Sequence, residues 1–581
     1  LLAVLHNEVH KPFNFVINKY MSMTKKYAKL LVAAMMLSGA AMAQGNTSVD
    51  KDVVPKNWHL LDNKEDGFPG VSLNKAYEFV KANNLKSKKI VVAVIDSGID
   101  TLHEDLKPIL WKNPKEIPGN GIDDDRNGYV DDIYGWNFLG GKDGRNVKKD
   151  SYEGARVYHS LKTKWEGKEV EVAKLSASDK AEYEMFVLAK QKTVGEVNKE
   201  EAAYMAQLLP KFIKGDSALR KELGKEEYNG NDLKAFIPAN SDGKMVKGLM
   251  LNISKANNSY EISNQQLLDQ LEGEIMKAKS ASEAPEAFRK DIVGDNEMDI
   301  NDRFYGNNDV MANTPFHGTH CSGIIAAVRN NEKGMDGVVS NVSIMMLRAV
   351  PDGDEHDKDI ALAIRYAVDN GAKIISMSFG KAFSPEKEWV DDAFRYAESK
   401  GVLLVHAAGN DAKDLGEEAA FPNANYANGK GKASNVINVG ASGNEKNGGL
   451  TASFTNYNKS QVDVFAPGVG IYSTIPGGTT YGNASGTSMA CPLVAGVAAF
   501  IMQHYPNLTP QQVKEAIEKT AQAPAEKVNK PGTDEKVDMS ELAKTGGIIN
   551  AYEAIKYASN MKTLPVKTTV PKSPIKKERK N

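Results

Sequence analysis

The stretch Lys89 to Ile95 (KIVVAVI) constrains the fold more than any other. A nearly unbroken β-branched run is what a strand needs when both faces of its sheet are covered. The same kind of signal recurs downstream with helices between. Ile360, Ile364 and Ala367 share one face of a helix predicted over residues 360–370, Gly371 marks its stop, and Lys373 to Met377 reads as the next strand. A second such unit follows: a helix over Val390 to Lys400, a stop at Gly401, and a strand from Val402 to His406. Helices alternating with apolar strands predict an α/β domain, a parallel sheet with helices on both faces in three α/β/α layers. In such sheets the working residues gather at the carboxyl ends of the strands. Asp96 and the pair Gly409-Asn410 both fall just past such ends.

One long stretch does not fit the alternation. Residues 149–296 are rich in Lys, Glu and Ala and carry a helical period. Ala202, Met205, Leu209 and Phe212 share one face, as do Leu267, Leu268, Leu271 and Ile275. This reads as a helical insertion between two parts of the α/β domain, residues 44–148 and 297–560. The formal net charge of −2 gives no global basic field, so no nucleic-acid or anionic-membrane partner is expected.

The N-terminus predicts export. Residues 1–22 read as an upstream segment without structure. Residues 23–43 read as a signal peptide, with Lys25, Lys26 and Lys29 before the apolar run Leu30 to Ala41 and a small-x-small site at Ala41-Met42-Ala43. That run is too short for a bilayer, which takes about 20 apolar residues. No other stretch is apolar enough to span one, so the chain is expected to be secreted or periplasmic, without a transmembrane anchor. Residues 561–581 are Lys- and Pro-rich and read as a disordered basic tail.

Hydrolysis of a peptide bond needs an activated nucleophile, a base, an acid that orients the base, and donors for the oxyanion. Three loci could supply them. Asp96 ends the buried strand, in Val94-Ile95-Asp96-Ser97-Gly98. His317 stands in His317-Gly318-Thr319-His320, ahead of the apolar run Gly323 to Val328. Ser488 stands in Gly486-Thr487-Ser488-Met489-Ala490-Cys491-Pro492, at the predicted start of a helix, where open amides and the dipole favour negative charge. Pro492 is expected in the first turn of that helix, where an amide has no intrahelical partner to lose. Taken singly, each residue has a plainer reading: a helix cap, a buried core histidine, a turn. Their joint occurrence in this order favours catalysis.

These motifs, with Ser376-Met377-Ser378-Phe379-Gly380 and Ala407-Ala408-Gly409-Asn410, resemble those of the subtilase family of serine proteases over residues 50–148 and 297–560. The order Asp, His, Ser is that of subtilisin. The resemblance implies a subtilisin-like fold and a serine endopeptidase acting on proteins or peptides as a monomer. It implies that Asp96 orients the imidazole, His317 is the general base, Ser488 attacks, and the Asn410 amide and Ser488 N–H hold the oxyanion. It also implies that substrate pairs as a strand with Ser378, Phe379 and Gly380, and that Ala407, Ala408 and Gly409 wall the primary pocket. A second substrate edge corresponds to Gly353 to Asp357. That acidic loop reads first as a solvated surface loop and second as a recogniser of basic residues. The rival to an enzyme is a catalytically inactive member of the same fold that binds or scaffolds. Intact Asp96, His317, Asn410 and Ser488 argue against it. His320 is expected in a supporting position and His59, His103, His406 and His504 in structural ones.

Asp123-Asp124-Asp125-Arg126-Asn127-Gly128-Tyr129-Val130-Asp131-Asp132 resembles the first part of an EF-hand-like calcium loop. Asp123, Asp125, Asn127 and Asp131 or Asp132 are the expected ligands, and calcium there would brace the structure. Tyr134, not Glu, stands at the twelfth position, so the last ligand stays open. A second calcium site would pair Asp105 with the loop Asn330 to Gly334, as the family often does. Cys321 and Cys491, the only two cysteines, read as buried thiols that act as small apolar residues, with a disulfide as the alternative.

Overall fold

The computed structural model describes residues 54–562, apart from 196–198, 226, 257–259, 261, 313–314 and 447. The upstream segment, the signal peptide and nearly all of the basic tail lie outside the described residues. The strands are β1 (Ile90–Asp96), β2 (Gly135–Asn137), β3 (Val342–Arg348), β4 (Ile374–Met377), β5 (Leu403–Ala407), β6 (Val436–Ser442), β7 (Val464–Pro467), β8 (Ile471–Ile475) and β9 (Thr480–Ala484). The longer helices are α1 (Leu73–Ala82), α2 (Glu153–Trp165), α3 (Ala177–Lys190), α4 (Lys199–Leu223), α5 (Ser241–Ala256) and α6 (Asn264–Ser280). They continue with α7 (Phe316–Ala326), α8 (Asp357–Asp369), α9 (Lys387–Ser399), α10 (Thr487–His504), α11 (Pro510–Lys519) and α12 (Ala551–Ala558).

Seven strands form one parallel sheet in the order β2-β3-β1-β4-β5-β6-β7. The β-branched run explains why β1 sits inside it. Val92 and Val94 belong to the core that holds α1, α7, α10, α11 and α12, whereas Ala93 and Ile95 belong to the core that holds α8 and α9. Successive side chains of a strand point to opposite faces, so a strand buried on both sides must be apolar throughout. The result is the three-layer α/β/α arrangement of subtilisin-like domains. After β1 the chain fills one side of the sheet with β2 and β3 and the other with β4 to β7. The order therefore reverses beside β1, and a crevice opens at the carboxyl ends of β3, β1 and β4.

Between β2 and β3 lie α2 to α6, followed by α7. Met205, Phe212 and Leu219 of α4 pack with Val246 and Met250 of α5 and Leu267 and Leu271 of α6 in a core of their own. The first helices behave differently. Val157, Tyr158 and Trp165 of α2 and Phe186 and Ala189 of α3 share a cluster with Phe383, which lies beyond β4 in the α/β body. Among the described residues, α10 is the one helix long and apolar enough to cross a membrane, and 89% of it is buried in the core.

Candidate active site

Asp96 is the last residue of β1 and is almost fully buried. Its carboxylate lies 2.8 Å (Oδ1) and 3.0 Å (Oδ2) from Nδ1 of His317, the second residue of α7. The neighbour of His317 must be glycine for this approach. A Cβ on Gly318 would stand 2.1 Å from the Gly98 carbonyl and 3.2 Å from Asp96 Oδ1. Desolvation pushes the His317 pKa down, but the adjacent Asp96 charge and its hydrogen bond push it up and prevail, leaving it well above the ordinary histidine range. A carboxylate on Nδ1 fixes the proton there and leaves Nε2 as the basic nitrogen.

Ser488 is the second residue of α10. Its hydroxyl donates to the Ser378 carbonyl (3.2 Å), and no hydrogen bond joins it to His317. Such looseness is common in a site without substrate, where the bonds tighten only on binding. Pro492 lies in the second turn of α10, not the first, because the helix already begins at Thr487. The missing Pro492 N–H therefore frees the Ser488 carbonyl inside the helix. The Ser378 hydroxyl (3.0 Å) and the Cys321 thiol (3.3 Å) both donate to it. Ser488 is thus held through its own backbone by two neighbouring elements.

Asn410 follows β5 and its side chain is exposed. Its Oδ1 accepts from the backbone N–H and the hydroxyl of Thr487, both at 2.9 Å. A backbone N–H can only donate, so the amide orientation is settled: Nδ2 faces the other way as a free donor. Ser488 N–H, at the second position of α10, has no intrahelical acceptor. Gly409 takes φ +99°, and a Cβ there would meet Asn456 Nδ2 at 2.4 Å.

Ser378 is buried, Phe379 half-buried and Gly380 exposed, so the segment after β4 opens to solvent beside Ser488. Ala407 and Ala408 are buried and Gly409 is part-exposed. Of these three, Ala408 lines a recess together with His406, Leu415, Ala419, Ala420 and Pro422. Asn423, Asn425, Asn438 and Gln461 complete the lining, so the recess holds no acidic group but four amide side chains. His406 Nε2 lies 2.8 Å from the Phe379 carbonyl, and burial lowers its pKa to about 4. Burial, then the nearby His317 charge, takes His320 down to about 3. Burial takes His59 to about 3 as well. Both cysteines are free and buried, so no disulfide links them.

In the acidic loop after β3, Gly353 and Asp354 are part-exposed and the side chains from Glu355 to Asp357 turn inward. Glu355 and Asp357 are buried, and Asp357 Oδ1 lies 2.9 Å from Lys381 Nζ. Burial, opposed by Lys381, raises Glu355 to about 8. Sequence reasoning missed the cations responsible, because Lys381, Arg156 and Arg348 are distant in sequence from the groups they meet. Arg348 ends β3 opposite Asp96 and is fully buried, donating to the carbonyls of Ser97 (3.0 Å) and Val147 (2.7 Å).

At the aspartate loop the expected ligands divide. Asp123 and Asp125 come together with Glu116, their carboxylate oxygens within 4.8 Å of one another. Glu116 was not anticipated, lying upstream of the loop. One of its oxygens accepts from the N–H groups of Asp124 (2.9 Å) and Asp125 (3.2 Å). The other, Oε2, is buried without a hydrogen-bond partner. Three carboxylates around an orphaned buried oxygen are the hard donor set a calcium ion takes, so these residues fit the group. Asp123 and Asp125 also accept from Asn127 N–H (3.1 and 3.0 Å), and Asp131 accepts from Gly119 and Gly121 N–H (2.8 Å each). Asp132 accepts from Asn113 (2.6 Å) and Asn127 (2.9 Å), and Asn127 Oδ1 accepts from Tyr129 N–H (2.8 Å). At the other expected site, Asn331 (2.5 Å) and the Tyr481 hydroxyl (2.7 Å) already donate to Asp105.

The sequence profile of the subtilase family matches residues 87–541. The chain belongs to that family. It is 40% identical over 242 residues to the thermophilic serine proteinase of Bacillus sp. (strain AK1), a match taking in 42% of this chain and 52% of that protein. The chain thus spans about half the length of that relative. It is 38% identical over 255 residues to thermitase of Thermoactinomyces vulgaris, covering 44% of this chain and 80% of thermitase. It is also 34% identical over 234 residues to the cell wall-associated protease of Bacillus subtilis (strain 168), covering 40% of this chain and 24% of that one.

Proposed function

We propose that this chain is an exported monomeric endopeptidase that cleaves protein substrates with Asp96, His317 and Ser488 as a catalytic triad and Asn410 as an oxyanion donor. The observation that carries the reading is the pairing of His317 Nδ1 with a buried Asp96 beside the helix start that holds Ser488. Neutral His317 keeps its proton on Nδ1 toward Asp96. As substrate enters, the Ser488 hydroxyl turns from the Ser378 carbonyl to Nε2, gives up its proton there, and its oxygen attacks the scissile carbonyl. The imidazolium that forms is stabilised by Asp96 and returns the proton to the leaving amine. The tetrahedral oxygen meets Asn410 Nδ2 and Ser488 N–H, two donors already aimed before the reaction starts.

Ser378, Phe379 and Gly380, a segment that opens to solvent at Gly380 beside Ser488, would pair with an extended substrate. The recess at Ala408, Leu415 and Ala420, with the amides of Asn423, Asn425, Asn438 and Gln461 in its wall, suits an uncharged side chain. The burial of Glu355 and Asp357 withdraws the reason to expect a basic preference. At the aspartate loop, Glu116, Asp123 and Asp125 would hold calcium, which would neutralise the cluster and brace the loop without entering the reaction. The likeness to a cell wall-associated protease supports export. Casein digestion by the wild type and by Ser488→Ala tests the reading. Cleavage by the wild type alone is the expected result, and equal cleavage by both would sink it.

A further inference from the structure

Loops follow β3 and β4, the strands that flank β1 in the sheet, so the two loops straddle the end of β1 where Asp96 sits. The backbones of 353–357 and 378–381 therefore form the two banks of the crevice. Both banks are tied to α2, the first helix of the segment between β2 and β3. Lys381 Nζ, whose side chain is 1% exposed, lies 2.7 Å from Glu153 Oε2 and 2.8 Å from the Glu355 carbonyl. Arg156 donates to Glu153 Oε2 (2.7 Å) and to the carbonyls of Asp354 (3.1 Å) and Glu355 (3.2 Å). The Glu153 N–H in turn donates to Asp354 Oδ2 at 2.8 Å. One carboxylate thus receives a cation from each side, and each cation also grips the backbone of the 353–357 bank. Lys381 is itself part of the other bank, and its backbone pairs with Phe421, next to the recess wall (2.9 Å both ways).

We propose that Glu153 and Arg156, on the inserted helical segment, are positioning residues that set the separation and register of the two substrate-binding banks. This deepens the endopeptidase reading and rests on it. The geometry differs from a surface ion pair, which a mobile loop would lose to solvent. Glu153 and Lys381 are buried, Arg156 is 13% exposed, and all three are hydrogen-bonded on several sides, so the arrangement holds one distance. Burial pushes Glu153 up, yet the charges of Lys381 and Arg156 hold it well below the usual carboxylate range. The inserted helices accordingly act on substrate through α2 without touching the chemistry at Ser488.

Two variants test this. Glu153→Leu combined with Lys381→Met replaces the buried pair by apolar groups, an exchange that folded proteins often tolerate. The survivors keep partners: Asp357 still accepts from the Ser384 hydroxyl and Glu386 N–H (2.9 Å each), and Arg156 still donates to the Ser151, Asp354 and Glu355 carbonyls. Arg156→Lys keeps the charge but cannot span two carbonyls and a carboxylate. The readout is KM against kcat on a peptide with four residues before the scissile bond. The expected result in both variants is a KM raised at least fivefold with kcat within twofold of wild type. A KM within twofold of wild type in a folded variant overturns the proposal. Loss of native near-ultraviolet circular dichroism in both variants overturns it as well, because the pairs would then serve the fold alone. A wild-type enzyme that fails to react with a fluorophosphonate would instead defeat the underlying endopeptidase reading, so the two failures are distinguishable.

Discussion

Asn410 is the residue at which fold and chemistry can be pulled apart. Its Oδ1 takes two donors from Thr487, and its Nδ2 is the donor left for an oxyanion. Asn410→Asp keeps the acceptor and removes the donor. Asn410→Ala removes both and strands the N–H of Thr487, a residue 1% exposed. Leaving such a group unsatisfied costs about 1–3 kcal/mol of stability, whereas loss of an oxyanion donor costs a factor of about 100–1,000 in kcat. The second figure is subtilisin's own, borrowed from a relative. Both variants should therefore lose kcat by at least that factor with KM little changed, but only Asn410→Ala should lose stability. Steady-state kinetics on a short peptide, beside urea unfolding, measures both. A kcat within tenfold of wild type in Asn410→Asp would refute the assignment, as would a loss of stability equal in the two variants.

Two further predictions concern pH and metal. His317 works as a base only when neutral, and Asp96 holds its pKa up, so the acidic limb of kcat/KM should have its midpoint above about 6.5, the ordinary histidine value. Asp96→Asn should move that limb down and lower kcat. A limb at the same pH in both proteins would contradict the pairing. In stability the same pair contributes fully below the unfolded pKa of His317 and is lost as pH rises through the folded one. Calcium at a hundredfold excess over its Kd should stabilise the wild type by about 2.7 kcal/mol, read as a rise in Tm over chelator. Glu116→Gln should abolish most of that difference, and a chelator without effect on the wild type would remove the ion from the account.

The sheet was legible because burial on two faces leaves a plain signature. Val92 and Val94 face one core while Ala93 and Ile95 face the other, and a strand in that position can carry no polar alternation. The candidate site was legible for a related reason: Asp96, His317, Asn410 and Ser488 sit at strand ends and helix starts, which punctuation residues mark. What could not be read were pairs made across long sequence distances. Lys381 and Glu153 meet through the tertiary fold alone, so the acidic loop looked solvated when Glu355 and Asp357 were buried. Glu116 stood outside the loop whose spacing suggested calcium. Pro492 misled by one turn because the helix start was displaced, and the freed Ser488 carbonyl became visible only with its two donors in place.

The central claim is that Ser488 is an activated nucleophile. The most direct measurement is reaction of the folded protein with a fluorophosphonate, followed by mass spectrometry of the labelled peptide. The account predicts one adduct, on Ser488, formed faster as pH rises through the His317 pKa and absent from Ser488→Ala and His317→Ala. An adduct on another residue, or an unlabelled Ser488 in the folded wild type, would contradict it.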